Sequence, residues 1–326
     1  MQIFTRLESF SPDPKAPLIL GLGNFDGVHL GHRKLLSRVT EAARPPERKQ
    51  KGKAAVFTFQ EHPQGVLHPQ NRLLLLTSPE SRFSLFRELG IEVCFFIPFT
   101  TEFSRIEPEV FVKDILKKKL GVEKIFLGAN ARFGHERRGD SKLMARLAGD
   151  YGFGFEEILP VESGGEIVSS SRIRNYVQEG RFEEAGQCLG RPFSILAKVV
   201  RGDGRGKSLG YPTANLEIGP YALPPFGVYP VKVRVVGERQ RATFLSGVLN
   251  YGCRPTFKSG QPEPLLEVFI LDFAEDLYGK TLEVVFCPRL RGEITFDGPE
   301  TLKKQIAQDV ENARQYFASR PFAHLK

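Results

Sequence analysis

The spacing of apolar residues changes its character once, near Gly190, and that change commits the chain to two differently built domains. Before it, β-rich apolar runs at Leu18–Gly23, Ala54–Phe59, Ile91–Phe99 and Lys124–Gly128 alternate with amphipathic segments at Gly31–Ala43, Pro79–Leu89, Pro108–Leu120 and Ser141–Tyr151. Strand–helix alternation at this spacing predicts a parallel sheet with helices on both faces. Ligands of such sheets bind beyond the carboxyl ends of the strands, so chemistry is expected in the segments that follow strands. After Gly190 the runs Ile195–Arg201, Gly227–Val236, Ala242–Leu249, Leu265–Phe273 and Leu282–Arg289 follow one another with only Gly- and Pro-rich breaks. That pattern predicts an antiparallel β-barrel or sandwich. One helix follows, from Pro299 to about Phe317, with Asp297 or Gly298 near its cap. A helical stretch at Arg181–Leu189 precedes the change, so the domains are expected to be 1–187 and 188–326. The 326 residues are about twice the usual domain length, which fits this division.

Composition excludes some function classes. The longest apolar stretches, such as Leu18–Leu22 and Val93–Phe99, fall well short of the roughly 20 residues that span a bilayer. No signal peptide is recognised at the N-terminus. Cys94, Cys188, Cys253 and Cys287 are scattered without a CxxC, which argues against a zinc site or a disulfide framework and suits a reducing compartment. A cytoplasmic protein without a membrane partner is the expectation. The net charge of +8 divides into +3 before Cys188 and +5 from it onward, with no basic tail or Arg-rich block. Such a mild surplus suits handling of phosphorylated ligands, and no nucleic-acid partner is expected. Nothing in the sequence calls for more than a monomer or weak oligomer.

The first strand runs directly into a helix through Gly21-Leu-Gly23-Asn24-Phe25-Asp26-Gly27-Val28-His29-Leu30-Gly31-His32. Glycines at a strand-to-helix turn let the backbone approach a phosphate, and the helix N-terminus offers unpaired N–H groups. The glycine spacing does not fit GxGxxG. Two imidazoles three residues apart can donate hydrogen bonds to a polyphosphate whose charge builds in an in-line transition state. They could also ligate a metal, but no third ligand lies nearby in sequence. A second cluster, Ser169-Ser170-Ser171-Arg172-Ile173-Arg174, opens a short helix with hydroxyls and two arginines suited to phosphate oxygens. Read alone, it is an N-cap followed by solvated arginines.

The GxFDGxHxGH run resembles the HxGH signature of the nucleotidylyltransferase superfamily. The resemblance implies a Rossmann-like domain in which a nucleophile attacks the α-phosphorus of ATP and pyrophosphate leaves. It implies catalytic roles for His29 and His32, and nucleotide contacts from Gly23, Phe25, Asp26, Gly31, Asn130, Ser170, Ser171, Arg172 and Arg174. Thr58-Phe59-Gln60-Glu61-His62-Pro63 and Gly128-Ala-Asn130-Ala131-Arg132-Phe133-Gly134 resemble the TFxPHP and GxNFxFG segments of the bacterial FAD synthetase (riboflavin kinase/FMN adenylyltransferase) family. By that resemblance Phe59, His62, Pro63 and Phe133 hold the flavin, with aromatic rings against the isoalloxazine. The residues alone also allow both phenylalanines to be core. Gln60-Glu61 and Ala131 depart from the family pattern.

In the second half, Gly202-Asp-Gly204-Arg205-Gly206-Lys207-Ser208 looks like a P-loop, but Arg201 stands where GxxxxGK[ST] needs glycine and no helix follows. A basic glycine-rich loop can still bind phosphates through backbone N–H groups. Pro212-Thr213-Ala214-Asn215-Leu216 then enters a strand, and Thr213 and Asn215 offer oxygen ligands for a phosphate-bound Mg2+. The GRGxxLGxPTAN run resembles the riboflavin kinase barrel. Gly227-Val-Tyr229, Asn250 with Pro255-Thr256-Phe257, Glu267, and Leu290-Arg291-Gly292-Glu293 with Phe296 follow in family order. The resemblance implies ATP contacts at Gly202, Gly204, Arg205, Gly206, Lys207, Pro212, Thr213 and Asn215, a catalytic base at Glu267, and flavin contacts at Arg291, Glu293 and Phe296. Together the motif sets imply one chain that phosphorylates riboflavin to FMN and adenylylates FMN to FAD, with ATP as co-substrate of both steps. The alternatives are a relative that keeps only the kinase step, and a basic RNA-binding barrel.

Overall fold

The computed structural model describes residues 1–45, 51–70, 73–202, 206, 209–237, 243–254 and 263–320. It separates into two compact units, 1–170 and 171–326.

The first unit is built on six parallel strands in the order β1-β4-β3-β2-β5-β6: β1 (Gln2–Phe4), β2 (Leu18–Leu22), β3 (Lys53–Phe59), β4 (Val93–Ile97), β5 (Val122–Gly128) and β6 (Gly154–Ile158). Its helices are α1 (Leu30–Ala43), α2 (Pro63–Leu67), α3 (Pro79–Glu88), α4 (Thr101–Ser104), α5 (Pro108–Val110) and α6 (Ser141–Tyr151). Alternate strand residues face opposite layers. Leu18, Leu20 and Phe57 pack under Phe111, Leu116 and Met144, while Ile19, Val56 and Phe126 pack under Leu36, Val39 and Phe86. Burial on both faces explains why these strands read as continuous apolar runs. Successive connections leave β2 on opposite sides, to β3 and eventually to β5, which makes the carboxyl ends of β2 and β5 the topological switch point.

The edge strands β1 and β6 were not legible as apolar runs; β6 carries Glu156 and Glu157 and is largely half-buried. The segment expected as one α-helix from Pro108 to Leu120 also differs. After α5 it winds with wider, i to i+5 bonding over Phe111–Lys119, as in Leu120 N–H to the Ile115 carbonyl at 3.0 Å. This winding buries Phe111, Val112 and Leu116 together against the sheet.

The second unit is a closed six-stranded antiparallel barrel, in the order β10-β13-β12-β11-β14-β9. Ahead of it in sequence, β7 (Glu162–Ser163) and β8 (Glu166–Ile167) pair as a two-stranded ribbon; the barrel strands are β9 (Ser194–Val200), β10 (Ala214–Leu216), β11 (Gly227–Val235), β12 (Leu245–Arg254), β13 (Glu263–Ile270) and β14 (Thr281–Phe286). Helices α7 (Ser170–Gln178) and α8 (Phe182–Leu189) precede it, and α9 (Pro299–Ser319) follows. Phe182 of α8 stacks on Phe286 at 5.5 Å, so this helix packs with the barrel, ahead of the expected division at 187. Interior positions repeat every second residue, as in Val231 and Val233, Leu266 and Val268, and Leu282 and Val284. Part of the outer face, with Val228, Val248 and Leu271, is covered by Val310, Ala313 and Phe317 of α9.

Candidate active sites

In the first unit the turn from β2 into α1 is tightly wound. Phe25 and Val28 adopt φ of 52° and 41°, a left-handed region that ordinary residues avoid, and Gly27 lies between them at 84°. The strain is held from outside. Buried Asp26 accepts hydrogen bonds from Leu76 N–H at 3.0 Å, Thr77 N–H at 3.1 Å and Thr77 Oγ1 at 3.2 Å. The Thr77 hydroxyl also accepts from Gly27 N–H at 3.0 Å, and Ser170 Oγ donates to the Asp26 carbonyl at 2.9 Å. Asp26 therefore braces the turn instead of presenting its carboxylate to solvent. Phe25 is fully buried beneath Gly23, whose lack of a side chain leaves room for the ring.

His29 caps α1 and its Nδ1 accepts from His32 N–H at 3.4 Å. The two imidazoles stack with centroids 3.7 Å apart and an interplanar angle of 17°. A β-carbon at Gly31 would sit 3.2 Å from the His29 ring, so glycine here keeps the pair close. Burial pushes His32 well below the ordinary imidazole pKa, and neighbouring His29 lowers it further. His32 Nδ1 is buried and has no hydrogen-bond partner among the described residues. His32 thus favours its neutral form at the helix N-terminus, where an anion is favoured. Among the described residues no group of three potential ligands surrounds a metal position.

The residues expected against flavin lie at or shortly after the ends of β3 and β5. Phe59 contacts Phe99 at 4.9 Å and Phe103 at 5.4 Å. These two aromatics were not singled out as site residues in the sequence: Phe99 reads as the end of the strand expected over Ile91–Phe99, and Phe103 lies in the four-residue α4. His62 caps α2 by accepting from Gln64 N–H at 3.2 Å, and its Nε2 lies 3.4 Å from Asn24 Nδ2. Pro63 occupies the first turn of that helix. Gln60 Nε2 donates to the Phe96 carbonyl at 2.9 Å, and Glu61 accepts from Phe99 N–H at 3.0 Å. The two departures from the family pattern therefore fasten the end of β3 to the end of β4. Phe133 is only 9% exposed, and its backbone pairs with that of Gly139 in both directions, at 3.0 and 2.9 Å. A β-carbon at Gly139 would lie 2.6 Å from the Phe133 ring, so the ring is wedged in the wall. Asn130 is exposed in the turn that follows β5.

Ser170 begins α7, followed by Ser171; within the second unit Arg174 is buried, and Arg172 Nε donates to Tyr176 Oη at 2.9 Å. On the barrel, strand register assembles what the sequence scatters. Asn215 of β10 and Asn250 of β12 both lie opposite Glu267 of β13, and Asn250 lies opposite Val228 of β11. Their neighbours Leu216, Leu249, Leu266 and Val268 are buried in the barrel interior, so the Asn215–Glu267–Asn250 row lies on the outer face. A β-carbon at Gly202 would overlap the Asn215 carboxamide. One at Gly206 would overlap the Tyr211 carbonyl and approach Thr213 Oγ1 to 3.0 Å. Glycine is required at both places because the Gly202 backbone lies against the Asn215 side chain and the Gly206 backbone against the Tyr211 carbonyl. Pro212 is exposed and follows Tyr211, whose ring meets Phe269 at 5.4 Å. Gly204, Arg205, Lys207, Pro255, Thr256 and Phe257 lie outside the described residues.

Glu293 closes the same face. Its Oε1 accepts from Cys253 N–H at 3.1 Å and fills the space over Gly252, beside Asn250. Arg291, expected against flavin, forms a bidentate pair with Asp309 of α9: Nε to Oδ1 at 2.9 Å and Nη2 to Oδ2 at 2.6 Å. The Phe296 ring lies 6.0 Å from its guanidinium. Asp309 was not marked in the sequence, although a carboxylate on the apolar face of a helix is a readable signal.

The family model described as FAD synthetase matches residues 11–172, and that described as riboflavin kinase matches residues 189–317. Bifunctional riboflavin kinase/FMN adenylyltransferase from Escherichia coli (strain K12) is 33% identical over 97% of this chain and 98% of its own length. The proteins of that name from Listeria monocytogenes and Bacillus subtilis are 36% and 35% identical, over 92% and 94% of this chain and 92% and 95% of their own. A crystal structure described as a macrolide-efflux protein from Streptococcus pneumoniae aligns with a TM-score of 0.80 at 28% identity, over 96% of this chain and 98% of that one. Among the described residues of the present chain no helix is long and apolar enough to cross a membrane. Two domain matches in sequence order and near-full-length identity lead to one conclusion: the chain belongs to the bifunctional riboflavin kinase/FMN adenylyltransferase family.

Proposed function

We propose that the barrel unit transfers the γ-phosphoryl group of ATP to riboflavin, and that the first unit then joins the resulting FMN to AMP from a second ATP. In the kinase step the ribityl 5′-hydroxyl attacks the γ-phosphorus, Glu267 takes its proton, and ADP leaves. Phosphoryl transfer depends mainly on placement and charge neutralisation. Asn215 beside Glu267, under the Gly202 loop, places the phosphates against the base. Thr213 and Asn215 supply hard oxygen donors that fit Mg2+ held mostly by phosphate and water, and the ion would offset charge on the transferred group. Gly204, Arg205 and Lys207 complete the nucleotide loop, and Arg291, Glu293 and Phe296 border the flavin.

In the adenylyl step a phosphate oxygen of FMN attacks the α-phosphorus of ATP and pyrophosphate leaves, with no covalent enzyme intermediate. His29 and His32 donate to the polyphosphate where charge builds. Gly23, Phe25, Asp26 and Gly31 shape the turn; Asn130, Ser170, Ser171, Arg172 and Arg174 contact phosphates or nucleotide. Phe59, His62, Pro63 and Phe133 form the flavin wall. We further propose a functional boundary near 187/188, a cytoplasmic monomer or weak oligomer, and no nucleic-acid or membrane partner.

The observation that supports this reading is that one chain holds both the stacked His29–His32 pair at a helix N-terminus and the Asn215–Glu267–Asn250 row on a barrel. The test is chromatography of flavins after incubation with riboflavin, ATP and Mg2+. FMN should appear and give way to FAD. His32→Ala should stop at FMN, and Glu267→Ala should convert added FMN but not riboflavin. Equal loss of both steps in either variant would refute separate sites.

A further inference from the structure

Arg82, on α3, is buried to 6% exposure, and among the described residues it makes no ion pair. Its Nη1 reaches two main-chain carbonyls, that of Asn24 at 3.3 Å and that of Phe59 at 3.4 Å, while among the described residues its Nε has no hydrogen-bond partner. It lies 5.3 Å over the Phe96 ring and lines a small pocket whose other walls include Asn24, Asp26, Phe59, Glu61 and His62. Burial disfavours its charge and the nearby Asp26 and Glu80 carboxylates favour it, but among the described residues neither pairs with it, and a buried cation without a paired carboxylate is costly for a fold to keep. Such costs are retained where a site needs them.

The two carbonyls identify the need. Asn24 opens the turn that leads to His29 and His32, and its side chain lies 3.4 Å from His62. Phe59 ends β3 at the flavin wall. The Asn24 carbonyl also accepts from Thr58 Oγ1 at 3.0 Å, so two buried donors converge on it from β3 and α3. We propose that Arg82 is a positioning residue of the adenylyl transfer, tying the phosphate turn to the flavin loop and thereby setting the approach of the FMN phosphate to the α-phosphorus of ATP. The inference rests on the adenylyltransferase reading of the first unit. A misplacement of about 1 Å between reacting groups can cost on the order of 100-fold in rate. Arg82 should act on turnover more than on the binding of either substrate alone.

The experiment measures FAD formation from FMN and ATP in wild type, Arg82→Lys and Thr58→Val. Dissociation constants for FMN come from flavin fluorescence and for ATP from calorimetry, and riboflavin phosphorylation is measured in the same preparations. Lysine keeps the charge but loses the planar fork, and valine removes the second donor to the Asn24 carbonyl without changing side-chain shape. The expected result is a fall in kcat of about 10- to 100-fold for Arg82→Lys and about 3- to 10-fold for Thr58→Val. Both dissociation constants should stay within about 3-fold and the kinase rate should not change. Wild-type kcat in Arg82→Lys, or a loss of FMN or ATP binding that accounts for the whole rate loss, overturns the proposal. If Arg82→Lys does not fold, an unchanged kcat in Thr58→Val overturns it. A wild-type protein that binds both substrates without making FAD would instead refute the adenylyltransferase reading itself.

Discussion

Replacing Asp309 by alanine should destabilise the barrel unit through one identifiable pair. Asp309 is 3% exposed and receives Arg291 Nε and Nη2 together with Gln305 Nε2 at 3.0 Å. The alanine variant leaves Arg291 with its Nη1 bond to the Gly292 carbonyl at 2.9 Å and leaves the Gln305 amide without this acceptor. Removing one partner of a buried pair costs about 3–5 kcal/mol. The Arg291 side chain is 20% exposed, so water reaches part of the guanidinium and the lower end, about 3 kcal/mol, applies. At about 2–4 °C per kcal/mol for a unit of this size, the melting temperature should fall by about 6–12 °C. The chain has no tryptophan, so calorimetry and circular dichroism are the suitable probes. Arg291→Met combined with Asp309→Leu should recover all but about 1 kcal/mol, because no charge is then left buried. The segment from Leu290 to Glu293 hangs between this pair and β11, through Leu290 N–H to the Val228 carbonyl at 2.8 Å. The apparent affinity for riboflavin should therefore weaken along with stability. A cost below about 1 kcal/mol for Asp309→Ala, or a double variant as unstable as the two single changes summed, would refute the reasoning.

Other perturbations separate the two units. Gly202→Ala forces the Asn215 carboxamide aside and should lower riboflavin phosphorylation at least 10-fold while added FMN is still adenylylated; an intact kinase rate would show that Asn215 is not needed there. Asp26→Ala leaves the Leu76 and Thr77 N–H groups without their acceptor and should cost about 3 kcal/mol in the first unit, read as its melting step, with adenylyl transfer lost and phosphorylation kept. Because the folded pKa of His32 lies below its unfolded value, the unfolded chain binds the extra proton first as pH falls. The stability of the first unit should therefore be fully present above about pH 6.5 and decline on acidification below it, and His32→Gln should flatten that slope in pH-dependent urea unfolding. If the slope persists unchanged in the variant, another group is responsible.

The parallel sheet and the barrel were legible because most of their strands bury residues in patterns that local sequence carries, continuous in β2, β3 and β4 and alternating in β9 and β14. Where burial is partial, as in β6, the pattern fades and the strand cannot be read. The winding of Phe111–Lys119 was equally hidden, since Phe111 and Leu116 stand five apart and a helix is sought at three and four. Motifs that are contiguous, such as His29-x-x-His32, announce themselves. The Glu267 row does not, because Asn215, Asn250 and Glu267 become neighbours only through pairing of β10, β12 and β13.

Arg82 and Asp309 mark a different limit. Both interrupt the buried stripe of an amphipathic helix, Arg82 with Leu85 and Phe86 in α3 and Asp309 with Ala313 in α9. A charge in that position is normally counted against a helix face, yet here each is the point where a helix grips the segment bearing a site. Asp309 satisfies Arg291 almost completely, and its role is accordingly one of attachment. Among the described residues Arg82 keeps an unpartnered Nε and two long bonds to carbonyls at the ends of adjoining strands, so attachment alone does not account for its charge. A hydrophobic residue of similar length would hold α3 against the sheet at lower cost. Retaining the guanidinium makes sense if the Asn24 and Phe59 carbonyls must be held at a fixed separation, as joining a phosphate of FMN to a phosphorus of ATP requires.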